Sequence, residues 1–367
     1  MVAIYMENMF MVALTKIQGL GSTQIQKLIN YFGSSKAVWQ ASEKDIILSG
    51  CLTKGICDKL LKMRGENNNP YFWAEDLDEK NVKVCSIYDE FYPEKLRNIF
   101  NPPLVFYYCG EMLNFSNSIA IVGSRKATSY GKNVAKILAM DITASNGVVV
   151  SGAARGIDTA AHIGAMDKGK TVAVLGCGVD VVYPPENKKL LTDIKNQGMI
   201  ISEYYPGTKP NPAYFPCRNR IISGLVNGVV VVEAEAESGA LITAELALSE
   251  GRDVFAVPGS IFAPQSKGCN NLIKQGAKLV ESSNDILEEY AWASTLIKTE
   301  ILDLSDEEKI VLNLVFLDKG KSIDEIVLQS KLEITKVSFI LLQLELRGLV
   351  AKTNMQSYIR TTKEVVF

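Results

Sequence analysis

Four arginines set behind short apolar runs are the first residues whose type and spacing suggest chemistry. The stretch SIAIVGSRKATSYGKN, 118–133, starts as a strand, ends its apolar run at Gly123, and opens a helical pattern at Tyr130. A dinucleotide-type fold places its G-x-G-x-x-G loop there, yet this loop reads Gly123-Ser124-Arg125-Lys126, with one early glycine and two cations. Similar loops follow the next runs. They are Ser151-Gly152-Ala153-Ala154-Arg155-Gly156-Ile157-Asp158, then Gly176-Cys177-Gly178 with Tyr183 to Asn187, Lys188 and Lys189 behind it. Next come EYYPGTKPNPAYFPCRNRIISG, which holds Phe215, Arg218, Asn219 and Arg220, and Glu233 to Ser238 with Gly239 opening a helix.

In an open parallel sheet, ligands sit outside the carboxyl ends of the strands, so these loops should converge on one rim. Glycines let backbone approach a ligand, and helix starts at Gly156 and Gly239 point amides at an anion. Guanidinium forks suit phosphate. Several cations on one rim exceed the needs of a single pyrophosphate and suit a run of phosphates, with Phe215 available to stack a base. Residues two apart on a helix point about 200° apart, so a helical CRNRII turns only one of Arg218 and Arg220 to the ligand.

No catalytic set emerges. The single histidine, His162, lies in the apolar helix TAAHIGAM and reads as a packed residue. Glu203, Glu233, Glu235 and Glu237 are candidate general acids or bases, although acids at strand ends are mostly solvated or arginine-paired; Asp158 is a candidate partner for Arg155. The seven cysteines are scattered, with no metal-type spacing, and read as reduced thiols. Neither a metal nor a cofactor is expected.

The elements that must position these residues divide the 367-residue chain into three regions. Residues 1–75 read as an all-helical domain in which Ser22 caps a helix after Gly19-Leu20-Gly21, and NNNPY, 67–71, reads as a linker. Residues 80–290 alternate strand and helix. Strands are expected at 118–122, 148–151, 171–175, 199–203, 229–234 and 253–257, so the fold class is α/β, a Rossmann-like doubly wound, mainly parallel sheet. A polar connection, 291–303, leads to 304–367, which reads as three helices and a hairpin, the winged-helix plan, with Ser305 and Glu308 as a capping box.

The net charge of −2 does not announce a polyanion partner. It hides 13 Lys and Arg against 7 Asp and Glu in 119–230, and 5 against 11 in 231–300. A basic half of this kind attracts polyanions. The winged-helix region holds 9 basic and 10 acidic residues over 303–367, which favours a protein contact or weak DNA contact over duplex reading. No apolar run reaches the length of a membrane span, and a cytoplasmic location is expected.

IVGSR, SGAARGIDTAAH, VLGCGVDVVYPPEN, ISEYYPG, FPCRNRIISGL, VVVEAEAESGALITAELALSEGRDVFAVPG and GCNNLIKQGA together resemble the DNA-processing protein DprA (Smf) family over roughly 100–290. The resemblance implies single-stranded DNA binding, a homodimer, loading of RecA recombinase in natural transformation with protection of the incoming strand, and no catalysis. By motif, Gly123, Ser124 and Arg125 match its GSR; Gly152, Arg155 and Gly156 its second loop; and Phe215, Arg218, Asn219 and Arg220 its F-P-x-R-N-R. Where some members carry a lysine after Tyr-Pro, this chain has Pro185 and Glu186, so Lys188 becomes the nearby candidate. Ser238 and Gly239 complete the candidate nucleic-acid site. The N-terminal IQGLG resembles a helix-hairpin-helix loop in a SAM/helix-hairpin-helix-like domain. A second reading is a nucleoside-monophosphate phosphoribohydrolase-like enzyme with a P-G-G-x-G-T-x-x-E motif. Against it, only Gly239 of Glu237–Glu245 falls on a motif glycine, and the threonine is displaced by one.

Overall fold

The computed structural model describes residues 2–66, 69–292, 304–316, 320–353 and 357–361, with side chains from residue 7 onward. Among these, six helices come first: α1 (Val2–Thr15), α2 (Ser22–Phe32), α3 (Ser35–Gln40), α4 (Glu43–Leu48), α5 (Lys54–Glu66) and α6 (Tyr71–Glu79). The α/β region follows as β1 (Lys83–Ser86), α7 (Glu94–Arg97), β2 (Val105–Gly110), β3 (Ser118–Val122), α8 (Ser129–Ala144), β4 (Val148–Ser151), α9 (Ile157–Lys168), β5 (Thr171–Leu175), α10 (Lys188–Gln197), β6 (Met199–Ser202), α11 (Tyr214–Gly224), β7 (Gly228–Val231), α12 (Gly239–Ser249), β8 (Asp253–Ala256), α13 (Lys267–Lys274), β9 (Lys278–Leu279) and α14 (Asn284–Leu287). The C-terminal elements are α15 (Asp306–Leu314), β10 (Lys321–Ser322), α16 (Ile323–Ser330), α17 (Ile334–Leu346), β11 (Val350–Lys352) and β12 (Ser357–Arg360).

The main sheet runs β1-β2-β6-β5-β4-β3-β7-β8-β9. From β6 to β9 every pairing is parallel; β1–β2 and β2–β6 are antiparallel. The central strands are β-branched and buried throughout, because helices cover both faces. Alternation along β3 shows the two layers. Ile119 and Ile121 pack with Leu138 and Ile142 of α8 and Ala161 of α9, whereas Ala120 and Val122 face the layer holding Ile222 of α11 and Ala244 of α12. The helices α8 and α9 meet closely at Gly164, where a Cβ would stand 2.1 Å from the Lys136 carbonyl oxygen.

The N-terminal helices pack against the first two strands and the loop after β6. Tyr205 is the hub: its hydroxyl donates to Asp76 Oδ2 at 2.5 Å, and Trp73 meets its ring edge-on at 5.5 Å. Lys16 Nζ stands 3.5 Å from its centroid. Tyr71, the last residue of the stretch expected as a linker, opens α6, and that packed helix crosses the expected boundary at residue 75. Residues 67 and 68 lie outside the described residues. Ser22 is the first residue of α2 rather than its cap; Gly21 caps it, with its amide donating to Gln24 Oε1 at 3.2 Å. Gln24 serves the Gly21 amide, while its own amide donates to the Gly21 carbonyl at 3.0 Å, so no capping hydroxyl is used.

In the C-terminal region Ser305 Oγ accepts the Glu308 amide and Glu308 returns to the Ser305 amide, as the S-x-x-E spacing requires. The helices α15, α16 and α17 enclose their own core around Val311, Ile326, Val337 and Leu341, and β10, β12 and β11 form a three-stranded sheet. Most of the polar connection expected at 291–303 lies outside the described residues.

Candidate functional site

Strand order reverses between β3 and β7: the chain leaves β3 towards β4–β6 on one side and returns to β7–β9 on the other. Loops diverge at such a point and leave a crevice outside the strand ends. A cleft of about 740 Å³ occupies it. Its walls are Gly123 to Lys126 after β3, Phe215, Arg218 and Asn219 on α11, Tyr183, and Ser238 to Ala240 with Ile242 and Thr243 opening α12. A narrower recess beside it adds Gly152, Arg155 and Gly176.

The first wall is fixed by a buried carboxylate. Ser124 is buried, and its amide donates to the Glu233 carbonyl at 2.7 Å. The Glu233 carboxylate accepts the Thr128 amide at 2.9 Å and its hydroxyl at 2.5 Å, holding the start of α8. A Cβ on Gly123 would meet Ile157 at 2.6 Å, and one on Gly131 would meet that carboxylate at 2.4 Å. Glu233, a candidate acid or base by sequence, is thus a staple across the switch point, and Gly123 serves packing.

Arg125 projects from this fixed loop. It is exposed, its guanidinium lies 5.6 Å from the Phe215 ring centroid, and it has no carboxylate partner among the described residues. Phe215 is half-buried and leans on Tyr183 at 5.5 Å and 31°. Gly176 makes room for that ring, since a Cβ there would approach it to 2.9 Å. Arg125 and Phe215 both line the open cleft.

The second loop departs from expectation. Arg155 pairs with Glu186, both largely exposed, and each shifts the other towards its charged form. Asp158 does not hold Arg155. It is buried, accepts the Gly152 and Ala154 amides at 3.2 Å each, and its main charge neighbour is Arg218. Burial raises its pKa against those opposing effects. Gly156 has φ +79°, and a Cβ there would stand 2.2 Å from the Ser124 carbonyl oxygen, which itself accepts the Ile157 amide at 3.2 Å. One of the amides expected to be open at the start of α9 is therefore already used.

On α11 the helical geometry separates the two arginines as expected. Arg218 points under the cleft. It is buried and donates to the Gly152 carbonyl at 2.8 Å, to the Val174 carbonyl, and through Nε to Asn219 Oδ1 at 3.2 Å. Burial pulls its pKa down to about 10, against the attraction of Asp158, so it stays charged at neutral pH. A Cβ on Gly152 would meet its guanidinium at 2.5 Å. Arg220 turns away and is not brought to the cleft. One of its nitrogens donates to both Glu203 oxygens, at 2.6 and 2.8 Å.

Ser238 caps α12 through the Ala240 amide at 3.3 Å, and nothing stands within 4 Å of a Cβ on Gly239. Glu235 and Glu237 line the same cleft, both exposed, while Glu245 of the enzyme reading is exposed on α12 and not among the lining residues. Lys188 is exposed in the first turn of α10 and does not line the cleft. Ile242 and Thr243 do, and the reading by loops missed them. Their signal was helical spacing from Gly239, which puts the residues one turn on back over the same face.

His162 is fully buried. Thr171 gives its hydroxyl proton to the Val149 carbonyl at 2.8 Å, so it must accept from His162 Nδ1, also at 2.8 Å. The proton is therefore on Nδ1, Nε2 has no partner among the described residues, and burial first, with Arg218 adding, lowers the pKa to about 3. The seven cysteines are all unpaired, and Cys217 is exposed. On α17 and its cap, both cations are already engaged, Lys336 with Glu307 at 2.5 Å and Arg347 with Glu308 at 3.4 Å.

The family model described as DNA recombination-mediator protein A matches residues 83–291, more than half of the chain. The chain belongs to this family. A second model, the DprA winged helix domain, matches residues 299–353. DNA processing protein DprA of Streptococcus pneumoniae is 49% identical over 209 residues, covering 56% of this chain and 73% of that protein. Protein Smf of Synechocystis is 33% identical across 96% of this chain and 99% of its own length. Among solved structures, DprA from Streptococcus pneumoniae superposes with a TM-score of 0.68 at 38% identity, over 77% of this chain and 97% of that one. DNA processing protein A from Helicobacter pylori, studied for its single-stranded DNA binding mode, gives a TM-score of 0.53 at 28% identity, over 57% and 95%. No helix among the described residues is long and apolar enough to cross a membrane.

Proposed function

We propose that the chain is a recombination mediator that binds single-stranded DNA in the rim cleft, protects the incoming strand and, as a homodimer, loads RecA during natural transformation. The observation that carries this reading is the exposed Arg125, in no ion pair among the described residues, set against the Phe215 ring at the switch point of a DprA-family sheet. The pairing takes a phosphate on the guanidinium and a base on the aromatic face, the two contacts that sequence-independent strand binding uses. Arg218 adds buried positive charge beneath it. Gly123, Ser124, Gly152 and Asn219 shape the walls, with Gly156 packed behind them on the Ser124 carbonyl; Ser238 and Gly239 offer a helix start. Arg220 and Lys188 have no part at the rim.

Anisotropy titration of matched single-stranded and duplex oligonucleotides at two salt concentrations tests the binding step. Single strand should be preferred, with little dependence on sequence, and equal affinity for duplex would defeat the proposal. Recombinase loading is read by adding RecA to strands already covered by single-strand-binding protein, where the chain should restore strand exchange.

A further inference from the structure

We propose that a strand held at the rim continues over the Arg155–Glu186 pair into the groove between α8 and α9, where Lys132 and Lys136 take its phosphates. The inference rests on the single-strand reading of the rim. Three concavities lie in series. The main cleft and the narrower recess share Arg125, Tyr183, Phe215 and Arg218, and the recess shares Arg155 with a groove of about 380 Å³. Arg155 is thus the crest between a site for the strand and a second channel that the rim does not use.

The groove has the chemistry of a phosphate track. Lys132 and Lys136 stand one helical turn apart on α8, and both line it. Lys132 is exposed and has no carboxylate partner among the described residues; Lys136 meets Asp167 at 3.2 Å. On the α9 side Ile163, 41% exposed, supplies an apolar floor on which a sugar or base can lie. Asn187 closes the far side and is followed directly by the exposed Lys188 and Lys189, which have no role at the rim. Two carboxylates oppose this charge, Glu186 and Asp167. Both sit in exposed ion pairs, which are worth little in water, so a phosphate can displace either one at small cost. A mononucleotide would fill one of these hollows; only a chain uses all three.

The test is length dependence. Two oligothymidylates of about 6 and about 20 nucleotides bracket the usual site size of a single-strand fold. The Lys132→Ala/Lys136→Ala double variant should bind the long strand roughly 3- to 10-fold more weakly, the sum expected of two exposed charge pairs. Its salt slope should fall by about 1.4, because two phosphates are no longer neutralised. The short strand should bind as it does to the unmodified chain. Glu186→Gln, which releases Arg155, should strengthen the long strand; a weaker long strand there counts against the track. Unchanged long-strand affinity in the double variant, or an equal loss at both lengths, overturns the proposal. Failure of the rim reading looks different: the unmodified chain would then fail to hold the short strand, or Arg125→Ala would hold it normally.

Discussion

At the scale of the residue, the arginines divide by what already occupies them. Arg218 is consumed by two carbonyls, Arg220 by Glu203 and Arg155 by Glu186, which leaves Arg125 free on a loop that buried Glu233 holds still. Arg125→Ala should therefore weaken single-strand binding by roughly 1–3 kcal/mol, the range for removing a charged hydrogen bond, equally for different sequences. The salt slope should fall by about 0.7 for each phosphate that Arg125 neutralises. Normal binding, or binding abolished together with the fold, would make Arg125 structural. The glycines divide in the same way. Gly156→Ala meets a backbone oxygen at a positive φ and should lower stability by at least about 2 kcal/mol, read as the urea midpoint. Gly239→Ala meets nothing and should leave stability level or slightly raised. If Gly239 is bare so that a phosphate can reach the helix start, that variant should nonetheless bind strand more weakly.

At the scale of the element, the parallel strands were legible because burial on both faces makes them continuous β-branched runs with glycine at their ends. The antiparallel pair at one end of the sheet and the last strand at the other were not. The pair β1 and β2 holds polar and aromatic residues such as Lys83, Tyr107 and Tyr108, and β9 is two exposed residues, so neither shows a strand period. At the site, the loops after strands gave Arg125 and Phe215, and helical angle alone foresaw that Arg218 and Arg220 would part. What sequence could not give was the choice of partner. Asp158 and Glu186 are both near Arg155 in the loop pattern, and only the fold puts one under the sheet rim and the other on its surface. On α17 and its cap the cations Lys336 and Arg347 are held in ion pairs, and the helix presents Phe339, Leu342 and Leu346 outward instead. Deleting 304–367 should consequently leave most single-strand affinity intact. A large loss, with the remainder still folded by circular dichroism, would move the site to that region.

At the scale of the whole molecule, acid stability is set partly by one residue that touches no ligand. His162 is buried between α9 and β5, donates from Nδ1 to Thr171, and has Arg218 as its charged neighbour. Its pKa falls from the usual 6.5 to about 3, because charging it means burying a cation beside another. The sign follows from linkage. Between these two values the unfolded chain binds the proton and the folded chain does not, so stability is fully present above about pH 6.5 and is lost as pH falls towards 3. One such group contributes at most about 1.4 kcal/mol per pH unit across that window. Carboxylates held low by partners, Asp76 and Asp285 among them, act in the same direction at lower pH, so the isolating measurement is a difference. Replacing His162 with glutamine keeps a donor for Thr171 but nothing that titrates. At about pH 7.5 His162→Gln should be the less stable protein, because packing around the ring is lost. By about pH 4.5 the urea midpoints should converge or cross, since only the histidine form has a proton to reject. Parallel pH profiles for the two proteins would mean that Nε2 finds a partner in solution and that His162 is not a source of acid lability.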